Sequence, residues 1–104
     1  MAFADNLRQL PSITHLAAIE LLDDSGGVVA RIPNQSGKTG SVAVYAALAE
    51  KYGRIHAEAA QEGLALYAEH VEDARQNPGK HPNVERLQEV IASGREFGVR
   101  VVEA

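Results

Sequence analysis

Apolar residues along this chain alternate between a helical and an extended period. Phe3, Leu7 and Leu10 recur at helical spacing until Pro11, which predicts a short N-terminal helix. Across residues 14–22 the period shortens, and Ala17, Ile19 and Leu21 share one face of a strand. The run Asp-Asp-Ser-Gly-Gly follows, with Gly26 and Gly27 suited to the positive φ of a turn. Val28, Ala30 and Ile32 then form a second strand face that stops at Pro33, so the two runs read as a β-hairpin. Three longer helices are predicted next. The first is capped by Ser41 and runs through Tyr52, with Val42, Tyr45, Leu48, Ala49 and Tyr52 on its apolar side and Gly53 just past its end. The second spans residues 55–76. Its Ala60, Leu64, Tyr67, Val71 and Ala74 lie nearly opposite Glu58, Glu62, Glu69 and Asp73. Gly63 is its weak point, costing about 1 kcal/mol against alanine. The third carries Val84, Leu87, Val90 and Ile91, with Asn83 as N-cap and Gly94 as stop. Phe97, Val99 and Val101 share one face of a last strand.

The order α-β-β-α-α-α-β predicts an α+β fold, a two-layer sandwich. Its sheet has three antiparallel strands in the order 2-1-3, with three main helices on one face and the short N-terminal helix beside them. At 104 residues, with no repeat and no linker-like stretch, residues 1–104 read as a single domain.

Composition changes that picture in three ways. Aromatic residues are only 5% of the chain and alanines crowd the segment from Ala43 to Ala74, so the core is built of small side chains that each bury little area. Self-association is one way to bury more, through the open edge of the second or last strand, unless Arg31 or Arg100 guards that edge. Ile55, Ala59 and Leu66 form a second apolar strip for the N-terminal helix or for a dimer contact. The net charge of −4 disfavours nucleic acid as a partner, because phosphate contacts need a basic face. The absence of cysteine excludes disulfides and thiolate chemistry. No apolar run approaches a membrane span, and residues 1–10 lack the features of a signal peptide, so a cytoplasmic protein without membrane contact is expected.

The candidate chemistry begins at residues 34–41, Asn-Gln-Ser-Gly-Lys-Thr-Gly-Ser. Gly37, Lys38 and Thr39 match the end of a nucleotide-binding loop, but the first glycine of that motif falls on Ile32, and the strand before it is a hairpin arm. A nucleoside triphosphatase is therefore rejected. A simpler anion site survives. Gly37 and Gly40 expose backbone N–H groups, Ser41 opens a helix with unpaired N–H groups, and Ser36, Lys38 and Thr39 add donors. The alternative is a flexible surface loop followed by an ordinary N-cap. Counting chain reversals returns residues 77–83 to the same pole as residues 36–41. That brings Lys80 and His81 beside Lys38, with His15 near. The ligand of such a corner is a small phosphorylated or carboxylate compound.

The remaining titratable groups yield less. His15, His56, His70 and His81 lack the spacing of a helical metal site, so no metal or other cofactor is assigned. The stripe Glu58, Glu62, Glu69 and Asp73 is expected to face water, with docking of a basic partner as the alternative. No Ser/His/Asp arrangement can be picked out, and no catalytic residue is assigned.

The segments SVAVYAALAEKYG and EHVEDARQNPGKHPN resemble parts of a family of short bacterial proteins of unknown function. That resemblance implies a bacterial origin and no activity. The leading expectation is a non-enzymatic binding or interaction module able to form a homo-oligomer. The alternatives are an anion-binding domain built on residues 36–41 and 77–83, and a small enzyme using a histidine at that corner.

Overall fold

The computed structural model describes residues 2–104. Its elements follow in the order α1 (Phe3–Leu7), β1 (Leu16–Leu22), β2 (Val28–Pro33), α2 (Thr39–Tyr52), β3 (Arg54–Ile55), α3 (Ala57–Tyr67), α4 (His70–Gln76), α5 (Pro82–Ser93) and β4 (Phe97–Glu103). Among the described residues the fold is α+β, with five helices and one antiparallel sheet of order β2-β1-β4-β3.

The hairpin forms as its turn chemistry predicts. Asp23 Oδ1 accepts from the N–H groups of Ser25 and Gly27, at 2.9 and 2.8 Å, and closes the turn between β1 and β2. Ile19 pairs with Ile32 on one side and with Val101 on the other, so these three residues share one sheet face. On the opposite face Glu20 pairs with Arg31 and Arg100, and its carboxylate binds both guanidinium groups, at 2.9 and 2.5 Å. The first face supplies Ile19, Leu21 and Ile32 to the core, where they meet Val42, Tyr45, Leu48, Ala60, Leu87 and Val90 from the helices.

Two features of the fold differ from the sequence-based expectation. The sheet has four strands, not three. After Gly53, whose φ of +77° ends α2, Arg54 and Ile55 run extended and pair with Gly98 and Phe97. Two residues are too few to show alternation, and their partners lie far along the chain. Burial of Ile55, which is 0% exposed, shows what holds this edge in place.

The predicted helix over residues 55–76 is two helices. The break falls at Ala68, at φ 52° and ψ −118°, and not at Gly63. The N-terminal helix packs into the break. Asn6 Nδ2 donates to the carbonyl of Leu66 at 2.9 Å, and the Phe3 N–H donates to Glu69 Oε1 at 2.9 Å. The Phe3 ring stacks on Tyr67 at 5.3 Å and meets His70 edge-on at 4.8 Å. Contacts from α1 thus take up polar groups that the interrupted helix leaves free. The strip Ile55, Ala59 and Leu66 is used within the chain, with Ile55 and Ala59 buried and Leu66 packed against the core.

Gly63 is a packing requirement. A Cβ there would lie 2.6 Å from Leu87 Cδ1 and 2.9 Å from Leu48 Cδ1, and both leucines are fully buried. Helix propensity alone favours Gly63→Ala, whereas overpacking of this kind costs about 1–3 kcal/mol. Thermal unfolding should therefore show Gly63→Ala to be destabilised, and a raised Tm would refute the packing argument. Ala68→Gly should act in the opposite direction, stabilising by up to about 1 kcal/mol through relief of the positive φ.

Candidate functional site

Gly37, at φ +87°, turns the chain after β2, and the Lys38 N–H bonds the Gln35 carbonyl at 2.8 Å. Helix α2 begins three residues earlier than expected, with Lys38 as its N-cap in place of Ser41. Ser41 is instead the third helical residue, and its Oγ accepts from the Tyr67 hydroxyl at 2.7 Å. The start of α5 shifts in the same way. His81 is the N-cap and Pro82 the first helical residue, because proline needs no N–H partner there. Asn83, expected as the cap, gives its carbonyl to the Tyr45 hydroxyl at 2.6 Å and its Oδ1 to Arg86 at 2.7 Å.

The two helix starts open on one pocket of about 130 Å3. Of the residues anticipated for an anion site, Gly37, Lys38, Ser41, Lys80 and His81 line it. Tyr67, Pro82, Asn83 and Val84 complete the wall. Ser36, Thr39 and Gly40 do not line this pocket. Thr39 and Gly40 border a separate depression with Leu7 and Leu10, and Phe3 Cζ lies 2.9 Å from where a Gly40 Cβ would stand. Gly40 thus leaves room for the Phe3 ring where α1 packs on α2. His15 lines a third, apolar concavity.

The electrostatics of the corner depend on a residue that the sequence pattern assigned to a solvated stripe. Asp73 Oδ2 lies 2.5 Å from His81 Nε2 and 3.1 Å from Lys80 Nζ. The hydrogen bond from His81, then that from Lys80, holds the Asp73 carboxyl below its ordinary range. Lys38 is exposed and pairs with no carboxylate among the described residues. The His70 ring lies 5.1 Å from that of His81, which joins the corner to the α1 contacts. Burial raises the Tyr67 phenol above its usual range and pushes Tyr45 up to about 12, so both remain neutral hydroxyl donors near neutral pH.

Of the rest of the expected stripe, Glu58 is exposed as expected, whereas Glu62 and Glu69 are engaged. Glu62 accepts from Lys51 Nζ at 2.6 Å and from the Tyr52 hydroxyl at 2.8 Å, and Glu69 binds the Phe3 N–H. His56 caps α3, its Nδ1 accepting from the Ala59 N–H at 3.1 Å. Among the described residues no group of three His, Asp or Glu side chains is arranged to hold a metal ion. The hairpin geometry of β1 and β2 also removes the parallel strand on which a nucleotide-binding loop depends.

Fold and corner together define a small α+β protein with helices packed on an antiparallel sheet. No helix among the described residues is long and apolar enough to cross a membrane. Residues 3–101 match the family described as "Uncharacterized protein conserved in bacteria (DUF2322)", and the chain belongs to that family. No curated protein and no solved structure matches the chain.

The Asp73 contacts set a pH dependence. A carboxyl whose folded-state pKa is lowered contributes stability above the ordinary carboxylate range, and that contribution is lost as pH falls through the lowered value. Glu20, Glu62 and Glu69 are lowered too, so the whole chain should lose Tm on acidification below about pH 4. Asp73→Asn removes one share of that dependence. Its Tm should decline less steeply from pH 5 to pH 3, about one unit either side of the usual carboxylate range. Parallel Tm–pH curves for the two proteins would count against the Asp73 assignment.

Proposed function

We propose that this protein is a non-enzymatic binding module whose ligand carries a compact oxyanion, a phosphate or a carboxylate. The observation that carries this reading is the meeting of two uncapped helix starts at one pocket. Neither the N-cap of α2 nor that of α5 makes a side-chain capping bond, and residues from both line the same concavity with Lys38. The free N–H groups of the first turn of α2, the Asn83 N–H of α5 and the positive ends of two helix dipoles favour a negative group there, Pro82 having no N–H and Val84 being bonded to His81. At about 130 Å3 the space suits an anionic head group, being smaller than the roughly 300–1,000 Å3 of drug-sized pockets. Lys38 supplies the unpaired charge, while Asp73 holds Lys80 and His81 at the rim in competition with an incoming anion. Binding is favoured over catalysis because Ser41 Oγ pairs with the Tyr67 hydroxyl and, among the described residues, no hydrogen bond joins it to His81 or another base.

Residues 1–104 act as one domain in this reading, since the core cluster draws on every element from β1 to β4. A cytoplasmic setting fits a chain without cysteine and a phosphorylated or carboxylate ligand.

Calorimetry and thermal shift with inorganic phosphate and a panel of phosphorylated metabolites test the proposal. A ligand of the folded state raises Tm by mass action. Lys38→Ala should weaken binding on the order of tenfold, about 1.4 kcal/mol. Asp73→Asn should tighten it several-fold by releasing Lys80 and His81. Absence of any shift at millimolar oxyanion, or equal shifts in the native and Lys38→Ala proteins, would overturn the reading.

A further inference from the structure

Strand β4 is half an edge strand. β1 pairs with it from Gly98 to Glu103, but on its outer side β3 reaches only Phe97 and Gly98. Among the described residues no strand pairs with the outer edge over residues 99–103. Backbone donors and acceptors along such an edge are a template for another extended chain.

A concavity of about 340 Å3 runs beside this edge. Val99 and Val101 form its floor, and Val101 remains 41% exposed. Ala43, Ala46 and Ala47 of α2 form the facing wall. Small side chains at these positions leave a space that larger residues would fill. A carboxylate stands at each end, with His15 lining the groove beside the second. Glu50 lines the end near Gly53, which leads into the β3 segment paired with Gly98. Glu103 stands at the other end, on the same strand face as Val99 and Val101, and its pairing partner Leu16 lines the groove. Neither carboxylate has an ion-pair partner among the described residues.

We propose that this edge and groove bind an extended segment of another protein, added as a fifth strand against β4. Its alternate side chains are small and apolar, and lysine or arginine flanks them. Strand addition supplies main-chain hydrogen bonds, and the period of two sends every second side chain into the groove. In the antiparallel orientation the first three of these positions meet Glu103, Val101 and Val99; beyond Val99 the edge is taken by β3, so the last basic residue leaves the strand toward Glu50. Opposite charges across a strand pair are favourable.

Charge complementarity also selects against a second copy. Two β4 edges paired about a two-fold axis bring together residues of the same face. The register that opposes Val99 with Val101 sets the two Arg100 side chains against each other. The register centred on Val101 sets Glu103 against Val99, and each copy carries a net charge of −4.

The probe is the blocked peptide Lys-Thr-Val-Thr-Val-Thr-Lys, with Glu-Thr-Val-Thr-Val-Thr-Glu as its charge-reversed control. Calorimetry should show saturable binding of the first, at least tenfold tighter than the second. Amide exchange at residues 99–103 should slow in the bound state. Val101→Lys should abolish binding, and its half-exposed position lets circular dichroism verify the fold. Glu50→Gln, on the exposed surface of α2, should weaken binding several-fold and leave Tm unchanged. No binding at millimolar peptide, or equal binding by the Val101→Lys protein, overturns the proposal. So does a native dimer by light scattering that Val101→Lys converts to a monomer, since this edge would then be a self-interface. None of these outcomes depends on the oxyanion corner.

Discussion

Helices α2, α3 and α5 close on one another over the missing side chain of Gly63. Leu48 and Leu87 occupy the space that a Cβ would need, and both are fully buried. Close packing at this point fixes the distance between α2 and α5, and with it the spacing of their N-termini. The pocket between Lys38 and His81 exists because these two helix starts arrive at one place. A residue that lowers helix propensity is therefore the one on which the helical layer depends.

Carboxylates act as fasteners between elements throughout the molecule. Glu20 joins three strands on the open sheet face, Glu62 joins α2 to α3, Glu69 holds the first turn of α1, and Asp73 ties α4 to the residues before α5. Most of these contacts are at least partly exposed, so each contributes little to stability alone. Their consequence is positional. Each joins segments that are distant in sequence or separated by a loop, and Asp73 in particular sets the charge available at the corner.

Alanine has two consequences here. Where α2 meets the core, Val42, Val44, Tyr45 and Leu48 fill the space. Where it faces the outer half of β4, Ala43, Ala46 and Ala47 leave a groove open. The same small-residue composition that limits the energy of the core also leaves an apolar concavity beside the unpaired part of the sheet.

Periodicity in the chain was enough to locate the hairpin, β4, α2 and α5, because local alternation and capping residues encode them directly. It was also enough to bring Lys38 and Lys80 to one pole by counting reversals, and the bacterial family was legible in two stretches of sequence. The two-residue strand β3, the break at Ala68 and the pairing of Asp73 with His81 were decided only in three dimensions. Each depends on a partner remote in the chain or beyond a loop: Phe97 for Ile55, Phe3 and Asn6 for the end of α3, and residues past Gly79 for Asp73. The amphipathic pattern across residues 55–76 is equally compatible with one helix or two. Docking of α1 distinguishes them, because Asn6 satisfies the Leu66 carbonyl that a break would otherwise leave unpaired and Phe3 packs on Tyr67 and His70.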